Sequence, residues 1–449
     1  MSSGLCIGCG SCVANSPEAR MIMDQYGQLK PSGPGRWFAQ PTAAFSRTCP
    51  FSPQARNEDE LAARVFPFAA HQDAICGRWE GAYVGHAEAE DFRSRGSSGG
   101  LVTWVGVELL RRGMVDAVAH VESVDPKEGE RRLFSYRLAR DEDALRAGAK
   151  SRYYPIELSG VIEAIRATPG RYAVVGIPCF IKAIQLLRAE DVQLRERIVF
   201  TLGLVCGHMK SARLAESFAW QMDANIHEVA KIDYRRKNPE RPANWYTAEL
   251  TLTDGRIRTM DWWHMADGDW GAGFFQNSAC NFCDDVVAET ADISFGDAWV
   301  EPYSSDGRGT NVMIVRSPIL HDLVRAGIAE GRLSLEAVDS AFIERTQAAG
   351  FRQRREGLAF RLSWPHRGIR PRKRVLPRWR GITVRRKLIY FMRYQISAWS
   401  HRVFWLARLL NRPNWYLRWA RAALALYHAF AYSRGRLGGV IDRLGASDL

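Results

Sequence analysis

Cysteines are the residues of this sequence whose spacing most directly suggests chemistry. The run Cys6-x2-Cys9-x2-Cys12 has the spacing that places three thiolates around one 4Fe-4S cluster. Ser16 stands where the cysteine of a second cluster would follow, so the fourth thiolate must come from a distant Cys-Pro, which Cys49-Pro50 supplies. A zinc ribbon is the alternative, although zinc sites usually combine two Cys-x2-Cys pairs. The sequence therefore predicts an N-terminal 4Fe-4S cluster held by Cys6, Cys9, Cys12 and Cys49.

Four of the remaining cysteines form a second candidate set. Cys179 and Cys206 each follow an apolar segment, 172–176 and 197–205, of the kind that forms a buried strand. Ligands collect at the carboxyl ends of parallel strands, so these two thiols are expected to face one crevice. A single cysteine at a strand end is more often a small buried residue than a ligand, but a Cys-x2-Cys pair lies downstream. The set predicts a second metal centre held by Cys179, Cys206, Cys280 and Cys283, and it leaves Cys76 as a structural residue.

A loop rich in serine and glycine precedes a predicted helix. Residues 95–100 read Arg-Gly-Ser-Ser-Gly-Gly and lead into residues 101–112, in which apolar residues recur at helical spacing before Gly113. Free amides and hydroxyls at a helix N-terminus, with an arginine beside them, bind anions such as the pyrophosphate of a cofactor. A serine that only caps the helix is the simpler alternative, because a lone glycine-rich loop is a weak signal. An anion site in this loop is the hypothesis.

Two more predicted strands carry polar residues at their ends. Residues 291–299 form an apolar segment that leads into a turn and presents Asp297, and residues 307–315 form a polar loop that contains Asn311 and runs into a strand. The sequence contains no recognisable Ser-His-Asp set, no His-Glu-x-x-His motif and no Walker loop. Catalytic residues therefore stay unassigned.

These motifs, in this order, resemble those of the coenzyme F-420 hydrogenase/dehydrogenase beta-subunit family over roughly residues 1–320. The residues that carry the resemblance are the first cysteine set, the loop 95–100, the segments 176–179 and 204–208, the segment 234–237, the pair Cys280-x2-Cys283 and the segment 292–299. A member of this family is expected to be an iron–sulfur flavoprotein. The C-terminal hundred or so residues have no counterpart in the family core.

The resemblance implies an oxidoreductase that passes electrons from a ferredoxin-type or deazaflavin donor through two 4Fe-4S clusters and FAD to a substrate that the family does not specify. Coenzyme F-420 itself is an expected donor or acceptor. The resemblance implies that Cys179, Cys206, Cys280 and Cys283 hold the inner cluster, that the flavin phosphates lie near the serine–glycine loop, and that Lys150 and Tyr153 flank the flavin. The candidate cofactor-binding residues are Arg95, Ser97, Ser98, Gly99, Gly100, Lys150, Tyr153, Asp297 and Asn311.

Two other functions stay open at this point. One is a non-catalytic electron-transfer subunit of a larger complex, in which the flavin only relays charge. The other is a metal-stabilised scaffold that acts through a basic tail, for example in polysaccharide biosynthesis. A fold of one family serves many reactions, so the resemblance alone does not choose among them.

Charge is unevenly distributed along the chain. Of the 62 Lys and Arg and the 49 Asp and Glu residues, 23 basic and only 3 acidic ones lie in 351–449. Apolar residues recur there at a 3-4 spacing, which predicts a long amphipathic helix, a break at 411–414 and a second helix; the predicted apolar stripe is Ile389, Met392, Ile396, Trp399, Val403, Leu406 and Leu410. Such helices suit an anionic membrane surface or a protein partner, and a hairpin packed on the body is the alternative. Nucleic acid is not a predicted partner, because no recognised binding module accompanies the charge.

The expected fold class combines α+β and α/β elements. We predict a ferredoxin-like 4Fe-4S module at 1–75, an α/β flavin- and cluster-binding core with a mixed sheet at 76–350, a Pro/Arg-rich linker at 351–382 and basic amphipathic helices at 383–449. The 449 residues, 46% of them hydrophobic, exclude a disordered chain and a small disulfide scaffold. The first residues do not resemble a secretory leader, so the expected location is cytoplasmic, with peripheral membrane contact through the tail.

Overall fold

The computed structural model describes residues 3–39, 42–124, 132–365 and 368–443. Its first part contains two small antiparallel hairpins and three short helices. Residues 20–23 pair with 29–32 in an antiparallel hairpin that turns near Gly27, whose φ of 70° suits a glycine. The elements of this part are β1 (Arg20–Met23), β2 (Leu29–Ser32), α1 (Gly35–Ala39), α2 (Ala43–Thr48), α3 (Glu58–Val65), β3 (His71–Asp73) and β4 (Gly77–Trp79).

The central part alternates strands and helices. Its elements are β5 (Gly81–Ala87), α4 (Phe92–Arg95), α5 (Leu101–Arg111), β6 (Ala117–Ser123), β7 (Phe134–Ala139), α6 (Glu142–Ala147), α7 (Ser159–Ala167), β8 (Tyr172–Gly176), α8 (Pro178–Glu190), α9 (Val192–Arg197), β9 (Ile198–Leu204), α10 (Arg213–Gln221), β10 (Val229–Arg236), β11 (Thr247–Leu252), β12 (Ile257–Asp261), β13 (Ile293–Asp297), β14 (Asn311–Val315), α11 (Pro318–Ala329) and β15 (Leu333–Ala337). The C-terminal part is helical, with α12 (Ser340–Thr346), α13 (Ala348–Arg354), α14 (Glu356–Leu362), α15 (Val384–Leu409), α16 (Pro413–Tyr432) and α17 (Gly435–Arg443).

Eight strands form one mixed sheet in the order β15-β5-β14-β13-β9-β8-β6-β7. The neighbours β13, β9, β8 and β6 run parallel, and β14 pairs antiparallel with both β13 and β5. The carboxyl ends of β5, β8, β9 and β13 therefore lie at one edge of the sheet, which we call the carboxyl edge. This arrangement confirms the α/β class with a mixed sheet, and it places the residues after each of these strands beside one another.

Helices cover both faces of the large sheet, so its inner strands are apolar on both sides. On one face, α7 and α8 pack with Leu5 and Ile7 of the N-terminal segment against Ala117 and Val174. On the other face, α5 and α11 pack around the fully buried Trp104. The N-terminal segment is thus part of the main core, and this fixes the position of its cysteines relative to the sheet.

The basic tail packs on the body as a helical hairpin. Phe404 of α15 is fully buried, and its ring lies 4.3 Å from that of Trp220 and 5.3 Å from that of Phe275. The Tyr416 hydroxyl of α16 donates to Asp267 at 2.8 Å. These contacts join α15 and α16 to α10 and to the small antiparallel sheet β10-β11-β12 in one hydrophobic cluster.

The predicted apolar stripe of α15 agrees only in part with the side that faces the body. Its members Ile389, Met392, Ile396 and Val403 pack on the body, whereas Trp399, Leu406 and Leu410 are exposed. The helix carries apolar residues on more than one side, so hydrophobic spacing alone does not identify the packed side. Hydrogen bonds identify it instead, because Ser400 accepts from the Phe275 backbone amide at 2.9 Å.

The stretch 351–382, which the sequence assigned to a linker, contains α14 and the end of α13 and is tied to the body by buried ion pairs. Lys373 donates to Asp284 at 3.0 Å, and Arg374 bonds Glu289 at 2.6 Å. No helix within the described residues is both long enough and apolar enough to cross a membrane.

We predict that Phe404→Ala lowers the free energy of unfolding by about 3–5 kcal/mol, because it leaves a cavity among packed aromatic rings. The midpoint of urea unfolding, followed by circular dichroism, measures the effect. Leu406→Ala, two residues along the same helix but 42% exposed, is the matched control and should change stability by less than about 1 kcal/mol. Equal losses in the two variants would contradict the docking of α15 on this face.

Candidate functional site

The N-terminal thiols sit in a tight loop that glycines make possible. Gly8 and Gly10 have φ values of 84° and 80°, and a Cβ on Gly10 would lie 3.1 Å from the backbone nitrogen of Ser159. Cys6, Cys9 and Cys12 lie in this loop, and Cys49 is the C-cap residue of α2. We call these four cysteines the outer thiols.

Burial and mutual proximity govern the chemistry of the outer thiols. Burial, followed by the charge on Cys49, raises the pKa of the Cys9 thiol to about 12. Burial also raises the pKa of Cys12, and the charges on Cys9, Cys49 and Cys6 raise it further. The charges on Cys6, Cys9 and Cys49 thus all act on Cys12, so the outer thiols lie near one another.

The second set, which we call the inner thiols, forms at the carboxyl edge. Cys179 is in the first turn of α8, Cys206 follows β9, and Cys280 and Cys283 belong to a short 3-10 turn, Ser278–Phe282, and its end. Burial raises the pKa of Cys179 well above its ordinary value, and the charges on Cys283, Cys206 and Cys280 add to the rise. The structure thus brings together the four cysteines that the sequence combined.

The two sets are neighbours. The charge on Cys9 also raises the pKa of Cys179, which joins an outer thiol to an inner one electrostatically. Two hydrogen bonds fix the segments to each other: Asn277 Nδ2 donates to the Ile7 carbonyl at 3.3 Å, and Ser278 Oγ donates to the Gly4 carbonyl at 2.6 Å. The turn that carries the inner pair therefore holds the loop that carries the outer thiols.

A buried arginine contacts the inner thiols from the C-terminal part. Arg354 Nη1 donates to Cys283 Sγ at 2.5 Å, and Nη2 donates to the carbonyls of Cys206 and Gly207 at 2.6 and 2.8 Å. The Met209 amide donates to Cys280 Sγ at 3.3 Å. A guanidinium and an amide that donate to sulfur stabilise negative charge on these thiols. The sequence did not single out Arg354, because only the fold brings α13 to this place.

In the part of the chain that the structure describes, no group of three or more His, Cys, Asp or Glu side chains is arranged to hold a metal ion. The fit to iron–sulfur clusters is therefore judged by donor chemistry. Each set offers four thiols, and thiolates are the ligands that 4Fe-4S clusters require. Without a metal, burial and neighbouring charge raise the pKa values of these thiols and favour their protonated form. A bound metal would stabilise the deprotonated thiolates instead. In donor type and number, each set matches what one 4Fe-4S cluster requires.

The serine–glycine loop lies at the carboxyl edge, at the start of α5. Gly100, with a φ of 81°, is the N-cap residue, and the α5 bounds agree with the helix that the sequence predicted before Gly113. Ser97 Oγ accepts from the Ser151 amide at 2.9 Å, and Ser98 Oγ donates to the Thr310 carbonyl at 3.0 Å. A Cβ on Gly99 would lie 2.8 Å from the Gly85 carbonyl oxygen, so the loop runs against β5.

Asn311 adjoins this loop, and Asp297 lies opposite Asn311 on the neighbouring strand. They are paired in the register of β13 and β14. Asn311 Oδ1 accepts from the Leu101 amide at 3.3 Å, and its Nδ2 donates to the Gly296 carbonyl at 2.9 Å. Asn311 therefore occupies one free amide of α5 and acts as a structural bridge. Arg95, in contrast, is half-exposed and bonds Asp91 at 3.2 Å.

Four cationic side chains surround the loop: Arg93, Lys150, Arg235 and Lys237. Of these, only Lys150 was a predicted cofactor-binding residue. Lys237 Nζ donates to the carbonyls of Ser98 and Arg308, each at 2.7 Å, and to that of Arg93. Among the described residues no carboxylate lies within ion-pair distance of Lys237. Burial lowers its pKa to about 7, and the charges on Lys150, Arg93 and Arg235 contribute. Arg235 and Lys237 belong to the segment 234–237, which is part of the family resemblance, and this was the only indication in the sequence that they adjoin the site.

The other three cations each have a carboxylate partner at about 3 Å: Lys150 pairs with Asp233, Arg93 with Asp306 and Arg235 with Asp297. A polar cleft opens beside the loop. Its lining includes Ser97, Arg235, Lys237, Asn238, Tyr246 and Gly307. A cleft with excess positive charge beside a helix N-terminus is suited to an anion such as phosphate.

Aromatic rings connect this cleft to the inner thiols. Arg235 lies over the Tyr246 ring at 4.3 Å. Burial raises the pKa of the nearby Tyr153, and the charge on Arg235 opposes this larger effect by lowering it. The Tyr153 ring lies 4.8 Å from that of Trp270, which stacks on His208 at 4.3 Å. His208 is two residues after Cys206, and burial lowers its pKa well below the ordinary value. The path from cleft to thiols is therefore aromatic and at least partly buried.

Comparison with known proteins adds a family match. Two family models describe the beta subunit of coenzyme F420 hydrogenase/dehydrogenase: the model of its N-terminal part matches residues 82–163, and the model of its C-terminal part matches residues 170–341. Together they cover more than half of the chain. A solved chain from the F420-reducing NiFe hydrogenase complex of Methanosarcina barkeri is 16% identical, covers 65% of this chain and 95% of its own length, and gives a TM-score of 0.49. No curated protein matches the sequence.

We predict that Lys237→Met lowers the unfolding temperature and the free energy of unfolding by about 1–3 kcal/mol, because three carbonyls lose their donor. Differential scanning calorimetry measures the change. Lys231→Met, at an exposed position of strand β10, which ends just before Lys237, is the control and should leave stability unchanged. A Lys237→Met protein as stable as the control would show that the lysine does not hold the loop.

Proposed function

The chain belongs to the coenzyme F420 hydrogenase/dehydrogenase beta-subunit family, and we propose that it is an iron–sulfur flavoprotein oxidoreductase that carries two 4Fe-4S clusters and one FAD. Members of this family take part in redox chemistry as hydrogenase or dehydrogenase subunits. The observation that carries the finer proposal is the grouping of eight thiols into two neighbouring sets of four. A structural role for one isolated cysteine explains neither the pairing of the sets nor their contact.

The residues that would hold each cofactor follow from the site. Cys6, Cys9, Cys12 and Cys49 would hold the outer cluster, and Cys179, Cys206, Cys280 and Cys283 the inner one. Ser97, Ser98, Gly99, Gly100, Lys150, Tyr153, Asp297 and Asn311, joined by Lys237, would surround FAD, whereas Arg95 is engaged with Asp91. When bound, clusters of this type exchange single electrons and a flavin exchanges one or two, which connects a one-electron donor to two-electron chemistry.

The chain's own residues prepare the site for these groups. Lys237 and Arg235 supply positive charge beside the cleft, which favours a phosphate there. Tyr153 and Trp270, whose rings lie 4.8 Å apart, place aromatic surface between cleft and inner thiols. Asn277 and Ser278 hold the outer loop against the inner turn, so the distance between the thiol sets does not depend on a flexible connection.

The electron donor in this proposal is a ferredoxin-type protein or a deazaflavin, with coenzyme F-420 as a donor or acceptor. An organic substrate would accept or supply the electrons at the cleft. The alternative role is an electron-transfer subunit that passes charge to a partner enzyme. Turnover of an artificial donor by the isolated chain, with a small-molecule acceptor, distinguishes the two roles.

We expect anaerobically purified protein to contain about eight irons, a similar amount of acid-labile sulfide and about one FAD per chain. Cys49→Ser should lose roughly half of the iron, because it removes a ligand of the outer cluster only. Cys76→Ser is the control: Cys76 is a fully buried cysteine that belongs to neither set, so its replacement should not change the iron content. Zinc without flavin in the purified protein would contradict the proposal.

We also expect Arg354→Gln to make the midpoint potential of the inner cluster more negative. Removing a buried cation that donates to Cys283 Sγ destabilises the reduced, more negatively charged state. A redox titration followed by electron paramagnetic resonance measures the potential, with the iron content checked in parallel. Arg354→Lys should restore part of the shift, and Arg352→Gln, at an exposed position of the same helix, should leave the potential unchanged.

A further inference from the structure

The outward side of α15 carries large apolar residues from one end of the helix to the other. Its exposed residues follow the helical repeat, and the large hydrophobic ones among them are Val384, Leu388, Phe391, Trp399, Leu406 and Leu409. Phe391 and Trp399 are each 47% exposed, and Leu409 is 66% exposed. On α16, Trp415 and Leu426 are similarly exposed. We call this combined face the outer hairpin surface.

Packing on the body does not account for these residues, because the inward side of α15 is partly polar. Ser397 donates to the Gln276 carbonyl at 2.9 Å, Ser400 bonds the Phe275 amide, and His401 lies 3.1 Å from the side-chain amide of Gln28. A helix that only packs on a core places its polar residues outside. Here serines and a histidine are inside while leucines and aromatics face solvent.

The hairpin that carries the outer hairpin surface is also strongly basic. From the start of α15 to the end of α16, residues 384–432 include nine Lys and Arg and no Asp or Glu. Lys387 Nζ lies 4.1 Å from the centre of the Trp379 ring, and the Arg402 guanidinium lies 5.1 Å from that of Trp399. Trp379 is itself 59% exposed. Cations and exposed aromatics therefore lie side by side.

An open apolar groove adjoins this surface. It is lined by Phe360, Trp364, Pro365, Pro377 and Trp379, with Arg378 at its side. The Trp364 ring lies 5.2 Å from that of Tyr394 and 6.0 Å from that of Phe391, so the groove is continuous with the exposed side of α15.

We propose that the outer hairpin surface binds a bilayer that contains anionic phospholipids. Leu, Phe and Trp side chains would enter the boundary between headgroups and acyl chains, and flanking cations such as Lys387 and Arg402 would pair with headgroup phosphates.

Charge identifies the occupant of the surface. Two of the nine cations, Arg386 and Arg408, pair with glutamates of the body, and the hairpin stays positive without them. A second copy of the chain would bring the same basic helices against each other, with no acidic residue of either hairpin between them. An anionic bilayer supplies the opposite charge together with an apolar interior. The surface acts independently of the redox chemistry.

Vesicle flotation of the anaerobically purified full-length chain tests this proposal. We expect the protein to float with vesicles of phosphatidylcholine and phosphatidylglycerol, to float far less with phosphatidylcholine alone, and to be released by salt. Replacing Leu388, Phe391, Trp399 and Leu406 together by serine should abolish most of the binding. Phe68→Ser with Ile257→Ser, two exposed apolar positions elsewhere on the body, is the control and should float like the wild type.

Circular dichroism and iron content establish that each variant is folded, which these exposed positions allow. Equal flotation of the fourfold variant and the wild type would overturn the proposal, as would failure of the wild type to float with anionic vesicles. A dimer that sedimentation detects in the wild type and not in the fourfold variant, without vesicle binding, would assign the surface to self-association instead.

Discussion

Crowding of eight buried or partly buried thiols into two adjoining sets is the constraint on which the rest of the structure depends. Neighbouring thiols raise one another's pKa values because their charged forms repel, so their proximity does not stabilise the fold. The surrounding structure must therefore hold them together. The carboxyl edge supplies Cys179 and Cys206, and a 3-10 turn supplies the other inner pair. The N-terminal loop is held against that turn by side chains that bond its backbone. The cleft, the aromatic path and the arginine of α13 are arranged around this centre.

Much of the site could be predicted because its residues occupy the ends of regular elements. The parallel order of β8 and β9 brought two distant cysteines to one edge, as their places after apolar segments indicated. The functions of Arg93, Lys237 and Arg354 could not be predicted, since each acts through partners far away in sequence. Arg95 was predicted as a cofactor-binding residue because it directly precedes the loop in sequence. In the structure it instead forms an ion pair with Asp91, one helical turn earlier.

The C-terminal part shows a different limit of sequence patterns. Helix bounds were predictable, because Thr383 caps α15 and Pro413 begins α16. Which side of α15 packs on the body was predictable only in part, because a helix that is apolar on two sides has no unique inner face. Hydrogen bonds between its serines and backbone groups of the body decided it. The ion pairs of Lys373 and Arg374 then make the preceding stretch part of the core rather than a free connection.

The bonds from Asn277 and Ser278 to the N-terminal loop end on main-chain carbonyls of Ile7 and Gly4. Such acceptors are the same for almost any side chain, so the body recognises the path of the loop and not its composition. Variation in the loop is therefore limited by Gly8 and Gly10, which give it this path, and not by these two bonds. In the proposed function, the point of electron entry would thus be attached to the body through main-chain acceptors, whichever donor delivers the electrons.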